Sequence, residues 1–431
     1  MSQSAVQDQE AIATQPVATS DAGSVPNQHA SNQVPDAQMA DAYQRWLTQM
    51  QSLQDIAHHM VSQYPADRTA RLFLADVLQA SGHADLAFDE LEKLRPVASP
   101  NQLPRIEQAM DQCLADKRYF PPSYSQRLAT GEYAAGHNAQ TWRNYARRDI
   151  QRGREIVRLL RQWKPLAGKR VLDVGCGYGG MMICMAEQGA DVVGVEIDPE
   201  RAAMGKLRLQ ELGIVADCSE ADICQPGMAE KLGTFDVITC QDVLEHVMDP
   251  TEMIQTVSNL LKPGGIIYMQ VPNKWGAQQL MADHHYSLTG ITALSRKQAI
   301  EYWQTATGEA VNEYGVGYPR AERYYAAAFA RFGVTLKPVQ NYNGMAYVEW
   351  FARDVEALAK RAQQQIYPGL RPELEKKIRH RIAKAVQLYV HASQMIGEMR
   401  SEPEQMNAAC DYLVRRLGLP LWKFVGFKAE E

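Results

Sequence analysis

The stretch Val171-Leu-Asp-Val-Gly-Cys-Gly-Tyr-Gly-Gly180 constrains this chain more than any other. A short apolar run, Val171–Val174, reads as a buried strand and enters a glycine-rich turn that opens a helix. Gly175, Gly177 and Gly179 let the backbone turn tightly and let a ligand come close to it. Gly175, Gly177 and Gly180 also satisfy G-x-G-x-x-G. Glu196 follows about 20 residues on, where a carboxylate can accept hydrogen bonds from two ribose hydroxyls. Strand, glycine turn, helix, strand and acid in that order predict a nucleoside-bearing ligand at the carboxyl edge of a sheet. The glycine string alone fits dinucleotide and adenosine-type ligands equally.

Further short apolar runs at Val192–Val195, Val237–Thr239 and Ile266–Val271 alternate with helical stretches. That alternation predicts a mainly parallel sheet with helices on both faces. Residues 334–340 and 345–352, separated by Asn-Tyr-Asn-Gly, read as a closing antiparallel hairpin. Residues 272–333 form a long insert with two expected helices, one capped by Ser295 and one after Pro319.

Composition narrows the function. Lys plus Arg is 45 against 50 Asp plus Glu, a net charge of −5, which argues against coating nucleic acid through bulk charge. The seven cysteines are odd in number and contain no C-x-x-C, so neither a disulfide framework nor a cysteine zinc site fits. No apolar run reaches the ~20 residues of a membrane span. The start of the chain has no basic and apolar leader. The expectation is a cytoplasmic protein, with peripheral contact at the inner face of a membrane left open.

The elements that follow the glycine turn resemble the class I S-adenosylmethionine-dependent methyltransferases over roughly residues 150–350. The resemblance is carried by Asp173 two residues before the first glycine and by the acid-bearing Glu220-Ala-Asp-Ile223 after the third strand. It is carried further by Phe235-Asp-Val-Ile-Thr-Cys-Gln-Asp-Val-Leu-Glu-His-Val247 and Leu260-Leu-Lys-Pro-Gly-Gly-Ile267. It implies a Rossmann-like, doubly wound, mainly parallel seven-stranded sheet. It also implies S-adenosylmethionine as cofactor. Asp173, Gly175, Cys176, Gly177 and Gly179 would hold the methionine part and Glu196 with Ile197 the ribose. Asp222 and Ile223 would frame the adenine, and Gln241 would complete the site. The third strand departs from the pattern, because Ala216-Asp-Cys-Ser-Glu220 is polar for a buried strand.

Asp242, Glu245 and His246 are expected to begin a helix, where i, i+3 and i+4 spacing puts them on one face. Two carboxylates and an imidazole would repel and desolvate badly unless something binds between them, and such donors suit Mg²⁺ or Mn²⁺. The pattern resembles the metal-assisted O-methyltransferases, namely the ubiquinone-biosynthesis group and the small-RNA 2′-O-methyltransferases. That resemblance implies a fourth ligand in Asp283-His-His-Tyr286, with His285 the first choice and His284 the second. A metal-free acid/base role for the same residues is the alternative.

The segment after His285 resembles the acceptor side of bacterial methyltransferases associated with surface-polysaccharide assembly. A glycan or glycolipid hydroxyl is therefore the expected acceptor, with RNA or a quinone-like small molecule as alternatives. Tyr286, Trp303, Tyr314, Tyr318, Tyr324 and Tyr325 make the segment aromatic-rich, and about half of them are expected to be core.

The flanks are helical in pattern. Residues 1–40 read as a disordered tail and 41–118 as a helical module. Within 68–95, small residues around Gly82 resemble one tetratricopeptide repeat, a place for a protein partner. Residues 119–165 lead into the catalytic domain through a basic helix, 142–164, with eight Arg or Lys against two acids. The catalytic domain is placed at 166–352 and a C-terminal helical region at 353–431. A heptad stripe there, Ile378 to Met399, would either join a second copy through 373–399 or pack within the chain. The basic cluster 376–384 lies at its start. A third possibility is a scaffold protein that keeps a methyltransferase-like core.

Overall fold

The computed structural model describes residues 36–64, 67–81, 83–94, 98, 102–114, 119–130, 139–310, 315–317, 319–340, 342–364, 366–399 and 401–430. Most of the expected tail, Pro65, Gly82, Pro100, Tyr314 and Tyr318 lie outside the described residues. The chain divides into two units, Met1–Gln49 and Met50–Glu431. The described part of the first is helical, within the helix Asp36–Gln63.

The second unit is built on one seven-stranded sheet. Its strands are β1 (Arg170–Val174), β2 (Asp191–Glu196), β3 (Asp217–Glu220), β4 (Phe235–Gln241), β5 (Leu261–Pro272), β6 (Val334–Pro338) and β7 (Leu421–Lys428). The spatial order is β3-β2-β1-β4-β5-β7-β6, with β1 to β5 mutually parallel and β7 antiparallel to both its neighbours. This is the Rossmann-like, doubly wound arrangement, and the strand order reverses beside β1, where such sheets bind ligands. Alternate residues supply two separate cores. Leu172, Val174, Ile238, Ile267 and Met269 pack on one face, and Val171, Val237, Ile266 and Tyr268 on the other. Burial on both faces explains why these strands read as continuous apolar runs.

Two expectations fail at the C-terminal side. Residues 345–352 are not a strand; they belong to the helix Gly344–Gln363, capped by Asn343, whose side chain accepts from Ala346 N. The strand that pairs with β6 comes from the chain's apolar end. β7 runs beside β5 from Ile266↔Phe427 to Pro272↔Leu421 and beside β6 from Val334↔Lys428 to Pro338↔Phe424. The region 353–431 is therefore not purely helical, and the sheet does not close at 352. Trp422, Phe424 and Val425 of β7 are buried.

Helices Pro372–Glu398, Gly344–Gln363 and Pro403–Leu413 pack together with the insert in a third core. Leu374, Ile378, Ile382 and Ile396 are buried in it, and Ala385, Tyr389 and Ala392 pack against it. The stripe that could have joined a second copy is thus covered by the chain's own helices. Two residues of the basic cluster beside it are engaged too. Arg379 donates to Ala362 O and Gln364 O, and Lys377 to Gln298.

Toward the N-terminus, helices Arg68–Ala80, Ala84–Leu94 and Leu103–Leu114 enclose a small core around Leu74, Ala75, Ala87, Phe88 and Ile106. The basic helix, Ala139–Arg161, lies against the sheet and turns arginines inward. Arg148 lies over Phe88 and Arg154 over Tyr119, at 5.6 and 5.1 Å from the ring centres.

Candidate active site

Asp173, the penultimate residue of β1, is buried, 2% exposed, and accepts a hydrogen bond of 2.6 Å from Thr239 Oγ1. Burial pushes its pKa up to about 7. The next residues form the glycine turn. Gly175 has φ +70°, a conformation open to glycine, and a Cβ there would lie 2.5 Å from Val243 Cγ2. Gly175 N and Cys176 N donate to Val195 O, which ties the turn to β2.

At the end of β2, Glu196 is 5% exposed and organises the turn. Its Oε2 accepts from Gly177 N at 2.9 Å and its Oε1 from Asp198 N at 3.0 Å. Ile197 is 67% exposed at the mouth of the crevice. Beyond β3, Ala221 N donates to Glu196 O, Ile223 is buried, and the Asp222 carboxylate accepts from Cys224 N. The polar third strand is formed nonetheless, paired to β2 from Val193↔Asp217 to Glu196↔Glu220. Gln241 ends β4, so the expected cofactor residues gather along the carboxyl edge of β1, β2, β3 and β4.

The acid-acid-histidine segment differs from expectation. Residues 242–249 are not helical; the helix begins at Pro250, with Asp249 as its cap. Asp242 has φ +53° and diverts the chain straight after β4, which turns it away from the other two. Its carboxylate accepts from Gln270 Nε2 at 3.0 and 3.1 Å, and Arg152 Nη1 lies 3.6 Å away. Arg152 in turn lies 3.6 Å over the ring of Tyr145. Arg152 and Tyr145 are site residues the sequence reading missed. The apolar stripe of the basic helix does not by itself show which arginines point inward.

Glu245, His246 and His285 do converge, with ligand atoms within 4.8 Å of one another. Glu245 is 1% exposed and neither carboxylate oxygen has a hydrogen-bond partner. Burial, and after it the charge of Asp242, holds its carboxyl well above the ordinary carboxylate range. His246 Nδ1 is 2.8 Å from Gly315 O, so that nitrogen carries the proton and Nε2 is left with a lone pair. The ring keeps one edge exposed, yet protein on its other sides and the neighbouring His285 depress its pKa to about 4. The two imidazoles meet edge to face, centroids 5.0 Å apart. His285 is set by Asp283, which accepts from the backbone N–H groups of His285, Tyr286 and Leu288.

His284 does not join them. Its Nδ1 accepts from Gln279 Nε2 at 2.9 Å, so that nitrogen is already engaged. The donor set is therefore one carboxylate and two imidazoles, and the expected set of Asp242, Glu245, His246 and His285 loses Asp242. An orphaned buried carboxylate beside two imidazole nitrogens fits a divalent cation. Two nitrogens favour Mn²⁺ or Zn²⁺ over Mg²⁺.

Of the aromatic residues in the insert, Trp303 and Tyr325 are core, each 1% exposed. Tyr286 is half-buried between His285 and Trp303, and its hydroxyl accepts from Gly315 N at 2.9 Å.

Comparison with known proteins agrees with this geometry. Residues 142–336 match the model of a methyltransferase domain. This part of the chain is thus similar to a methyltransferase domain. More particularly, the chain is similar to the ubiquinone biosynthesis O-methyltransferase of Xanthomonas euvesicatoria pv. vesicatoria (strain 85-10). The two are 40% identical over 117 residues, 27% of this chain and 48% of that protein. The protein of the same name from Pseudomonas aeruginosa (strain UCBPP-PA14) is 41% identical over 110 residues, 25% of this chain and 47% of that one. The chain thus spans about half the length of the curated relatives it matches. Among solved structures, magnesium protoporphyrin IX methyltransferase from Synechocystis PCC 6803 with bound SAH is similar at 18% identity and a TM-score of 0.34. That match covers 52% of this chain and 91% of that one.

Proposed function

We propose that this protein transfers the methyl group of S-adenosylmethionine to a hydroxyl oxygen of a small molecule, at a site built around Glu245, His246 and His285. The observation that carries the proposal is Glu245. It is a fully buried carboxylate with both oxygens unpartnered, facing two imidazoles beside the cofactor crevice. A group buried in that way costs stability unless a ligand completes it.

In the transfer, an acceptor oxygen attacks the methyl carbon in line. The new O–C bond forms as the C–S bond breaks, the electron pair goes to sulfur, and S-adenosylhomocysteine leaves. Positioning supplies most of the rate, and the hydroxyl must also give up its proton. An imidazole with a pKa of about 4, as for His246, is a weak base for that task. A divalent cation on Glu245, His246 and His285 would supply the missing acidity by lowering the pKa of a hydroxyl on it. His246 is held in one tautomer by Gly315 O, and Asp283 fixes the loop that carries His285.

Two observations bear on the acceptor. The relatives carry a name from ubiquinone biosynthesis, which favours the quinone-like small molecule over the glycan or glycolipid expected from the insert. Arg152, Lys377 and Arg379 of the two basic helices are engaged within the fold, which favours a small molecule over RNA. The test is metal analysis of the full chain after dialysis against Mn²⁺. One bound equivalent, lost in Glu245→Gln while S-adenosylhomocysteine still binds, is the expected result. Retention of the ion by Glu245→Gln would overturn the assignment.

A further inference from the structure

The glycine turn carries a thiol that the methyl transfer does not use. Cys176 stands between Gly175 and Gly177, and Cys218 belongs to β3. Their sulfurs lie 3.8 Å apart, and both thiols are free and 7% exposed. Two glycines make room for this contact. A Cβ at Gly194, the residue of β2 that pairs with Cys218, would lie 2.9 Å from Cys176 Sγ and closer still to Met182 Sδ. One at Gly205 would lie 3.4 Å from Cys218 Sγ and 2.9 Å from Gly177 O. Neither is among the glycines with positive φ, so at both positions it is the space, and not the backbone conformation, that calls for glycine.

A disulfide needs a sulfur separation of about 2.05 Å, so the pair is roughly 1.7 Å short of bonding. Closing that gap acts on the cofactor crevice from both sides. Cys176 N donates to Val195 O and Cys176 O accepts from Gly179 N, while the adjoining Gly177 N donates to Glu196 Oε2. A pull on Cys176 is therefore a pull on the amide that Glu196 holds. Cys218 lies on the strand that leads to Asp222 and Ile223. A bond between the two sulfurs would join the methionine side of the crevice to the adenine side. With Cys176 as donor, the hydrogen bond between them lowers the pKa of Cys218 and, ahead of burial, raises that of Cys176. Burial and the neighbouring acids Asp173, Glu196 and Asp217 act against the lowering at Cys218. A thiolate is the form that oxidants attack.

Resting on the cofactor part of the proposed function, we infer that a peroxide converts Cys176 and Cys218 into a reversible disulfide, and that this bond weakens the binding of S-adenosylmethionine. The Cys218 thiolate attacks one peroxide oxygen, the O–O bond breaks, and the departing oxygen leaves as water with the thiol's proton. Cys176 sulfur then attacks the sulfenic sulfur of Cys218, and its proton leaves with the hydroxyl as a second water. Two thiols are oxidised by two electrons in total, and one hydrogen peroxide is reduced to two waters. A thiol reductant reverses the bond by exchange.

The test treats the reduced full chain with hydrogen peroxide, alkylates the remaining thiols and finds linked peptides by mass spectrometry. S-adenosylhomocysteine is titrated calorimetrically before and after. The expected result is a peptide linked through Cys176 and Cys218, with affinity lowered at least tenfold and restored by dithiothreitol. Cys218→Ser and Cys218→Ala should form no such link and keep their affinity after peroxide. Absence of the link in a chain that binds S-adenosylhomocysteine overturns the inference and leaves the methyltransferase reading standing. A link that leaves the affinity unchanged also overturns it, as does a loss of affinity that persists in both variants. A reduced wild-type chain that does not bind S-adenosylhomocysteine overturns the reading beneath it.

Discussion

Replacing Gly180 by alanine should destabilise the protein by about 3–5 kcal/mol, the cost of breaking a buried ion pair. Gly180 opens the helix Gly180–Ala186 and is not among the glycines with positive φ, so the substitution adds no backbone strain. The methyl group would lie 2.2 Å from Asp149 Cγ and 2.5 and 2.6 Å from its oxygens. Ordinary carbon contacts are ~3.5–4.0 Å, so the carboxyl must retreat by more than ~1 Å. It has nowhere to go. Asp149 Oδ2 accepts from Arg208 Nη1 at 2.6 Å, and Arg208 is wholly buried, donating also to Tyr119 O at 2.9 Å and Tyr178 O at 3.1 Å. Urea unfolding of the wild type and the variant, followed by fluorescence, reads the loss directly. In an Asp149→Ala, Arg208→Met background the same alanine should cost less than ~1 kcal/mol, because the obstacle is gone. A loss below ~1 kcal/mol in the wild-type background would refute the reasoning.

Other outcomes follow from the same geometry. Arg208→Met leaves Asp149 buried without its partner, so its folded pKa rises further above the unfolded value. The folded state then holds the proton, and stability falls as pH rises above about 4, making the variant weaker at pH 8 than at pH 5 in thermal melts. Asp173, with its pKa near 7, should be ionised more fully as pH rises, so S-adenosylmethionine should bind more tightly at pH 8 than at pH 6. Asp173→Asn should flatten that dependence in calorimetry. Glu196→Ala removes the acceptor for Gly177 N and Asp198 N along with the expected ribose contact. S-adenosylhomocysteine affinity should fall by roughly 10–100-fold, about 1.4–2.8 kcal/mol. Glu245→Gln should raise the melting temperature of the metal-free protein, since it removes a buried carboxyl whose ionised form is unfavourable. Chain termination after Leu419 removes the strand between β5 and β6 and should leave no cooperative unfolding transition.

What the sequence disclosed depended on whether the signal was local. The turn after β1 was legible because glycine spacing, a preceding acid and a following acid at Glu196 are short-range marks, and the structure brings them together as read. The helix cap at Ser295 was legible for the same reason, with Gln298 completing it. β7 was not legible as a sheet member, because its place between β5 and β6 depends on a chain reversal across about 80 residues. The segment after Asn343 misled through its Tyr, Val, Trp and Phe. The spacing of Val348, Phe351, Val355 and Leu358 was the helical signal that could have corrected it. At the site, i, i+3, i+4 spacing presumed a helix that Asp249-Pro250 in fact starts later. The positive φ of Asp242 is invisible in a sequence, and it decides that Asp242 meets Gln270 and Arg152 in place of the histidines.

The measurement that tests the central claim most directly follows methyl-tritiated S-adenosylmethionine into a fractionated cell extract incubated with the full chain. The account predicts label in a hydroxyl-bearing small molecule, stable to mild alkali and released by hydriodic acid as an O-methyl ether is. The label should vanish with Glu196→Ala and with Glu245→Gln. A wild-type chain that binds S-adenosylhomocysteine yet labels nothing, or labels only alkali-labile esters, would contradict it.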